Sequence, residues 1–290
     1  MGASAAQPKN THTWSSKTTD LIAPCGHVNA WEGAIAKKPS EYNITAVVPH
    51  LNTPEILGTC VQLLNLQTEK PYILIVDTGS SDETCAIIES LRAENVEIHY
   101  IKSHSWRHPS EPVSAAQDLA LILCKTKYMF CTHADCFLKK QTLLSEWLDL
   151  MSKYSVVGYR ISPRTYPGWV HEFGHTALLF NVLDIKSNNI NWDMEEYCRT
   201  YGKPLVRSAF GENNPDTESN FNYTLQKSGL KSLFLGDEEN YVRNNNEDFD
   251  HPRSYASAKL YSLDHFRKIS QDMSMALDEA QQRIYSWRSK

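Results

Sequence analysis

The sequence predicts an α/β protein with an open, mostly parallel central sheet and flanking helices. Three observations point to it. Short apolar runs alternate with helical patterns from residue 43 to 136, the order of parallel strand and crossover helix. The run YILIVD (72–77) is apolar almost throughout, as a strand covered on both faces should be. Polar residues gather where these runs end, at the edge where open α/β sheets bind ligands.

The elements follow in order. Residues 1–42 are rich in Ser, Thr, Ala and Pro without a clear period, which predicts an extension outside the main core. NITAVVP (43–49) reads as a buried strand. NTPEILGTCVQLLNLQ (52–67) reads as a helix, with Thr53 as N-cap, Pro54 in the first turn, and Ile56, Cys60, Leu63 and Leu64 on one face. YILIVD is the second strand, and SSDETCAIIESLRAEN (80–95) a helix capped by Ser81 or Asp82. VEIHYI (96–101), VSAAQDLALILCK (113–125) and KYMFCTHADC (127–136) read as strand, helix and strand. Beyond them TLLSEWLDLMSKY reads as helix, SVVGYRIS and TALLF as strands, PDTESNFNYTLQKSG as a helix ended by Gly229, and LKSLFL as a strand. The tail over 255–290 predicts a long polar helix packed outside.

At 290 residues the chain is long enough for a substantial core. Its net charge of −5 supplies no general attraction to nucleic acid or anionic lipid, so a nucleic-acid partner would need a local basic groove. The seven cysteines include no C-x-x-C pair, and several sit within apolar runs. That pattern predicts buried thiols in a reducing compartment. No apolar run approaches the roughly 18 residues of a membrane span, and MGASAAQPKNTHTW lacks the order of a secretory signal. A cytoplasmic protein is expected.

Three places hold candidate chemistry. Asp77 ends an apolar strand at the sheet edge, placed to accept a ligand N–H. His133 and Asp135 alternate along an extended chain, so both should face one side as a pair for Mn²⁺ or Mg²⁺. HEFGH (171–175) matches a zinc-peptidase signature. On a helix His171 and His175 would share a face, with Glu172 as general base. Against that reading, Gly174 would sit mid-helix at up to about 1 kcal/mol relative to Ala, PRTYPGW looks like loop, and the α/β half would have no part in a zinc peptidase.

The order of VVP, ILIVDTGSSDET and YMFCTHADCFL resembles the inverting glycosyltransferases of family 2, which have the GT-A fold. Their pattern runs from V-V-P through V-D-D-G-S-x-D to an L-D-x-D-D metal motif. PDTESNFNYTLQKSGLKSLFL is similar to their E-D-x-x-x-x-x-R-L-x-x-x-G-x-x-I-x-F segment, and FDHPRS (249–254) to their late histidine segment. The resemblance covers residues 43–254. It implies a nucleotide-binding half over 43–136, an acceptor half over 137–254, and a nucleotide-sugar donor, with a UDP-sugar favoured.

Carried over by position, the resemblance implies that Pro49 and Asp77 contact the nucleotide. Asp135, with His133 and His251, would hold Mn²⁺ or Mg²⁺. Asp216 would be the general base, with Glu218 as the competing candidate. Trp169, His171, Glu172 and His175 would fall on the acceptor side or serve only structure; the acceptor is left open among glycan, protein and small molecule. The departures are His133 and Cys136 where the metal motif has acids, Thr78 in place of the second Asp, Pro215 before Asp216, and Gln117-Asp118 in place of Arg-Asn. They keep a nucleotide-sugar-binding relative with weak turnover as an alternative, beside the zinc peptidase.

Overall fold

A computed structural model describes residues 38–101, 106, 108, 110–160, 173–201, 216–236, 246–252 and 263–289. The expected extension falls outside the described residues up to 37. The chain runs through β1 (Ile44–His50), α1 (Pro54–Asn65), β2 (Tyr72–Asp77), α2 (Asp82–Glu89), β3 (Val96–Tyr100), α3 (Glu111–Leu123), β4 (Tyr128–Cys131), β5 (Phe137–Leu138) and α4 (Leu143–Leu150). It continues through β6 (Val156–Arg160), β7 (Phe173–Asn181), α5 (Val182–Ser187), α6 (Met194–Tyr201), α7 (Ser219–Ser228), β8 (Ser232–Leu235), β9 (Phe249–Asp250) and α8 (Leu263–Arg288).

Seven strands form one sheet in the order β3-β2-β1-β4-β7-β6-β8, and β5 pairs with β9 separately. β1 pairs parallel with both β2 and β4, and β2 with β3. β7 is antiparallel to both its neighbours, while β6 and β8 are parallel. The sheet is therefore mostly parallel with one reversed strand, and that strand begins at the edge where the parallel strands end.

Every residue of β1 and β2 is buried, which explains why their sequences lack alternation: both faces are covered. The side chains still divide by the period of two. Ile44, Ala46 and Val48 join a cluster with α1, α4 and α8, whereas Val47 joins the opposite cluster with α3, Trp192 and Phe221. Six described cysteines are buried and outside any disulfide, acting as small apolar fillers. No described helix is long and apolar enough to cross a membrane.

Local chemistry explains where elements stop. Ser81 caps α2 by accepting from the Thr84 N–H at 3.3 Å. That helix ends earlier than its periodicity predicts, because the Ser90 hydroxyl donates to the Ile87 carbonyl at 2.6 Å and offers the backbone a turn instead. β4 likewise stops at Cys131 rather than Cys136, and the Cys136 N–H folds back onto the His133 carbonyl at 3.1 Å. Gly229 ends α7 at φ +70°, the left-handed cap glycine adopts without strain.

β7 carries a register shift against β6, between Gly158 and Arg160, and its Ala177 sits at φ +57°. Such bulges re-aim side chains near sites. Gly158 lies against this bulge: a Cβ there would meet the Ala177 carbonyl oxygen at 2.9 Å and Leu178 Cδ1 at 3.0 Å. Gly158→Ala should therefore destabilise the fold by about 1–3 kcal/mol through overpacking. The effect would be read as a lower urea midpoint at unchanged m-value.

Candidate active site

The carboxyl ends of β1, β2 and β4 converge with the start of β7 and with segments reached only late in the chain. At the β1–β2 end, His50 and Asp77 are register partners, and His50 Nδ1 lies 2.8 Å from Asp77 Oδ2. The Thr53 N–H donates to His50 Nε2 at 3.1 Å, so Nε2 accepts and the hydrogen sits on Nδ1, facing the carboxylate. Ser80 Oγ donates to the same Oδ2 at 2.5 Å, and the N–H groups of Gly79 and Ser80 donate to Oδ1 at 3.1 and 2.9 Å. Asp77 thus ties the β2–α2 turn to the end of β1, while Pro49 sits one residue before His50, opposite Val76. His50 was missed in the sequence because a histidine after V-V-P carries no local signal; only the parallel register sets it beside Asp77.

The second cluster lies past β4. His133, Asp135 and His251 present one ligand atom each, all within 4.8 Å of one another. His251 Nε2 is 3.4 Å from Asp135 Oδ1, and His133 Nδ1 is 3.8 Å from the same oxygen. The expected reason for their meeting was wrong: His133 and Asp135 face each other across a turn, not along an extended strand. His251 arrives through β9, whose register sets Asp250 opposite Phe137 on β5. Arg283 of α8 holds Asp250 at 2.6 Å, and Lys139 approaches it at 3.5 Å.

These residues fit a divalent cation. His133 Nε2 is buried and, among the described residues, has no hydrogen-bond partner, an arrangement that buried polar atoms ordinarily avoid. Burial, then the neighbouring His175 imidazole, pushes the His133 pKa down to about 3, outweighing the opposing effect of Asp135. The ring is therefore neutral near pH 7, the form that ligates.

Two more carboxylates border this cluster. Glu218 is fully buried at the N-cap of α7, and its Oε2 lies 2.5 Å from His175 Nδ1. The His175 ring packs 4.6 Å from that of His133, and its backbone carbonyl accepts from Gln117 Nε2 at 2.9 Å. The antiparallel pairing accounts for this position, since Cys131 opposite Leu178 carries His175 past the end of β4. Asp216 is only partly buried. Its Oδ1 accepts from Ser110 Oγ at 2.6 Å and from the Thr217 N–H at 2.8 Å. It is near enough to act electrostatically on His133. Ser110, the N-cap of α3, also went unrecognised, because it lies 106 residues from its partner.

The zinc-peptidase reading is overturned. Phe173–His175, the last three residues of HEFGH, begin strand β7. The signature needs a helix, and its last three residues are extended in a sheet strand instead. His171, Glu172 and Trp169 lie outside the described residues.

A family model described as "Glycosyl transferase family 2" matches residues 45–206, more than half of the chain. No curated protein matches significantly. Solved structures do. The galactosyltransferase LgtC, in complex with donor and acceptor sugar analogues, aligns at a TM-score of 0.50 and 12% identity over 79% of this chain and 95% of its own. That likeness shows a shared GT-A fold. A mannosyltransferase from Pyrobaculum calidifontis in complex with GDP-Man and Mn²⁺ aligns at 0.45 and 15% identity over 70% of this chain. S. aureus TarS 1–349 in complex with UDP aligns at 0.47 and 14% identity over 71% of this chain. The chain spans 59% of the length of each of these two.

The Asp77 network has a consequence for acid stability. Burial opposes ionisation of its carboxyl, but hydrogen bonds from His50 and Ser80 outweigh burial and hold the pKa below the ordinary value. A depressed folded pKa stabilises above the unfolded value, about 3.9, and that contribution is lost as pH falls through the folded one. Asp77→Asn should therefore be less stable than the natural protein at pH 7. The gap in urea midpoint should shrink as pH is lowered from about 5 toward 3.

Proposed function

Because the chain belongs to glycosyl transferase family 2, we propose that it moves a sugar from a nucleotide-sugar donor, with UDP the favoured nucleotide, to an acceptor hydroxyl with inversion. The observation that carries this reading is the meeting of a cation-capable cluster, His133, Asp135 and His251, with the partly exposed carboxylate of Asp216 at one edge of the sheet.

Pro49 and Asp77 receive the nucleotide. Both oxygens of Asp77 already hold protein donors, so it accepts a base N–H by exchanging the Ser80 hydroxyl, which can rotate. His133, Asp135 and His251 would hold Mn²⁺ or Mg²⁺. A cation bound there neutralises charge developing on the leaving diphosphate.

Asp216 is assigned as the general base rather than Glu218. Glu218 is fully buried and committed to His175, whereas Asp216 is within reach of solvent and is oriented by Ser110. Its carboxylate takes the acceptor proton as the hydroxyl oxygen attacks the anomeric carbon opposite the departing diphosphate. One C–O bond forms as the other breaks, which inverts the centre. His175 is assigned to the acceptor side, together with Trp169, His171 and Glu172.

Thermal shift against UDP-, GDP-, CDP- and dTDP-sugars with Mn²⁺ should single out one nucleotide, followed by slow hydrolysis of that donor. Asp216→Asn should lower turnover about 10²-fold or more, and Asp135→Ala should also lower it, both with melting temperatures preserved. Stabilisation without turnover would favour the weak-turnover alternative, and no shift with any donor would sink the reading.

A further inference from the structure

The hydrogen bonds already on Asp77 decide how many donors a nucleobase could place there. An ionised carboxylate offers about four lone-pair positions, two on each oxygen. Four donors fill them: the N–H groups of Gly79 and Ser80 on Oδ1 at 3.1 and 2.9 Å, and His50 Nδ1 and Ser80 Oγ on Oδ2 at 2.8 and 2.5 Å.

These donors differ in how readily they leave. The two backbone donors belong to the β2–α2 turn, where Gly79 sits at φ +112°, and they cannot turn away without refolding it. His50 is equally fixed. Its ring is buried, the Thr53 N–H holds Nε2 at 3.1 Å, and the Thr78 N–H and hydroxyl hold its carbonyl at 3.0 and 3.1 Å. Turning the ring would unpair the Thr53 N–H and strip Asp77 of a donor, both inside the protein. The Ser80 hydroxyl can swing. Its oxygen also accepts the Asn52 N–H at 2.8 Å, so the hydrogen can move to a new acceptor while the oxygen stays in place.

Asp77 therefore has one position to give, and the released Ser80 hydroxyl becomes a donor beside it. That pair matches a base edge with one N–H next to one acceptor, as uracil N3–H and a flanking carbonyl provide. Guanine presents two donors side by side, N1–H and the 2-amino group, which need two acceptor positions together. On Asp77 the second position is the one His50 occupies. An amino group left unpaired there would lower affinity about tenfold or more.

We propose that His50 is a specificity-determining residue: by holding one lone pair of Asp77, it makes the site read a single base N–H and reject guanine. This rests on the nucleotide role assigned to Asp77 above.

The test is calorimetric titration of the full chain, in the presence of Mn²⁺, with UDP, GDP and inosine diphosphate. Inosine diphosphate differs from GDP only in lacking the 2-amino group, and it should bind about tenfold more tightly. His50→Leu removes the donor, so it should close that gap and shrink the UDP-to-GDP affinity ratio by about tenfold. His50→Asn, whose amide can donate from a similar position, should keep the natural ratio. Lost packing alone would weaken all three nucleotides together and leave the ratios unchanged. The natural chain's choice between inosine diphosphate and GDP decides the matter should His50→Leu fail to fold. Inosine diphosphate binding no more tightly than GDP, or ratios that His50→Leu leaves unmoved, would overturn the inference. UDP methylated at N3 separates it from the reading on which it rests. If that analogue binds as well as UDP, Asp77 does not read the base and both fall. If it binds weakly while inosine diphosphate and GDP bind alike, only the role of His50 falls.

Discussion

The parallel register of β1 between β2 and β4 is the constraint on which the rest of the molecule depends. It sends three carboxyl ends to one edge, so that His50, Asp77 and the turn after Cys131 emerge together. A strand buried on both faces must satisfy its backbone through its neighbours, and β1 does so on either side. The apolar composition of Ile44–Val48 therefore fixes more than a core. It determines which polar residues can share a site at all, because the register brings the strand ends, and His50 and Asp77 with them, to one edge.

That edge alone would be incomplete. Three later segments bring the remaining chemistry to it, each by a different device. β7 runs against its neighbours, so its first residues, not its last, lie at the edge, and His175 comes with them. α7 fastens that start from behind: Asn222 accepts from the Phe173 N–H and donates to the Phe173 carbonyl, both at 2.9 Å, while Glu218 holds His175. The same helix entrance leaves Asp216 facing Ser110. One short stretch, 216–222, thus clamps a strand and presents a carboxylate.

What the sequence disclosed follows from the range of the interactions involved. Local patterns located β1, β2, α1, the cap at Ser81 and the stop at Gly229, since each is set by neighbours within a few residues. The Asp77 and Asp135 positions were legible because a polar residue ending an apolar run is itself a local signal. His50 and Ser110 were not, as their meaning comes from partners 27 and 106 residues away. HEFGH is a local match without its context: its spacing is informative only on a helix, and the bulged strand at Ala177 belongs to the sheet's long-range pairing. The closeness of His133 to Asp135 was anticipated while its cause was not, because a tight turn and a strand can both bring residues two apart together.

The last member of the candidate cluster, His251, is the most dependent on tertiary structure. It lies beyond the matched span of residues 45–206 and follows a pairing of only two residues, β5 with β9. Two-residue pairings are too weak to stand by themselves. Here the pairing is braced by ionic contacts: Arg283 and Lys139 on Asp250, and Lys140 on Asp248 at 2.7 Å. Tyr159 adds a hydrogen bond to Asp248 at 2.6 Å. Arg283 comes from α8, whose Met273, Ala276, Ala280 and Ile284 are buried in the core cluster shared with α1. The long polar tail is therefore more than an outer covering. Its apolar stripe docks on the sheet's helical layer, and its arginine steadies the strand end that brings His251 to the candidate cluster, linking the far terminus to the candidate site.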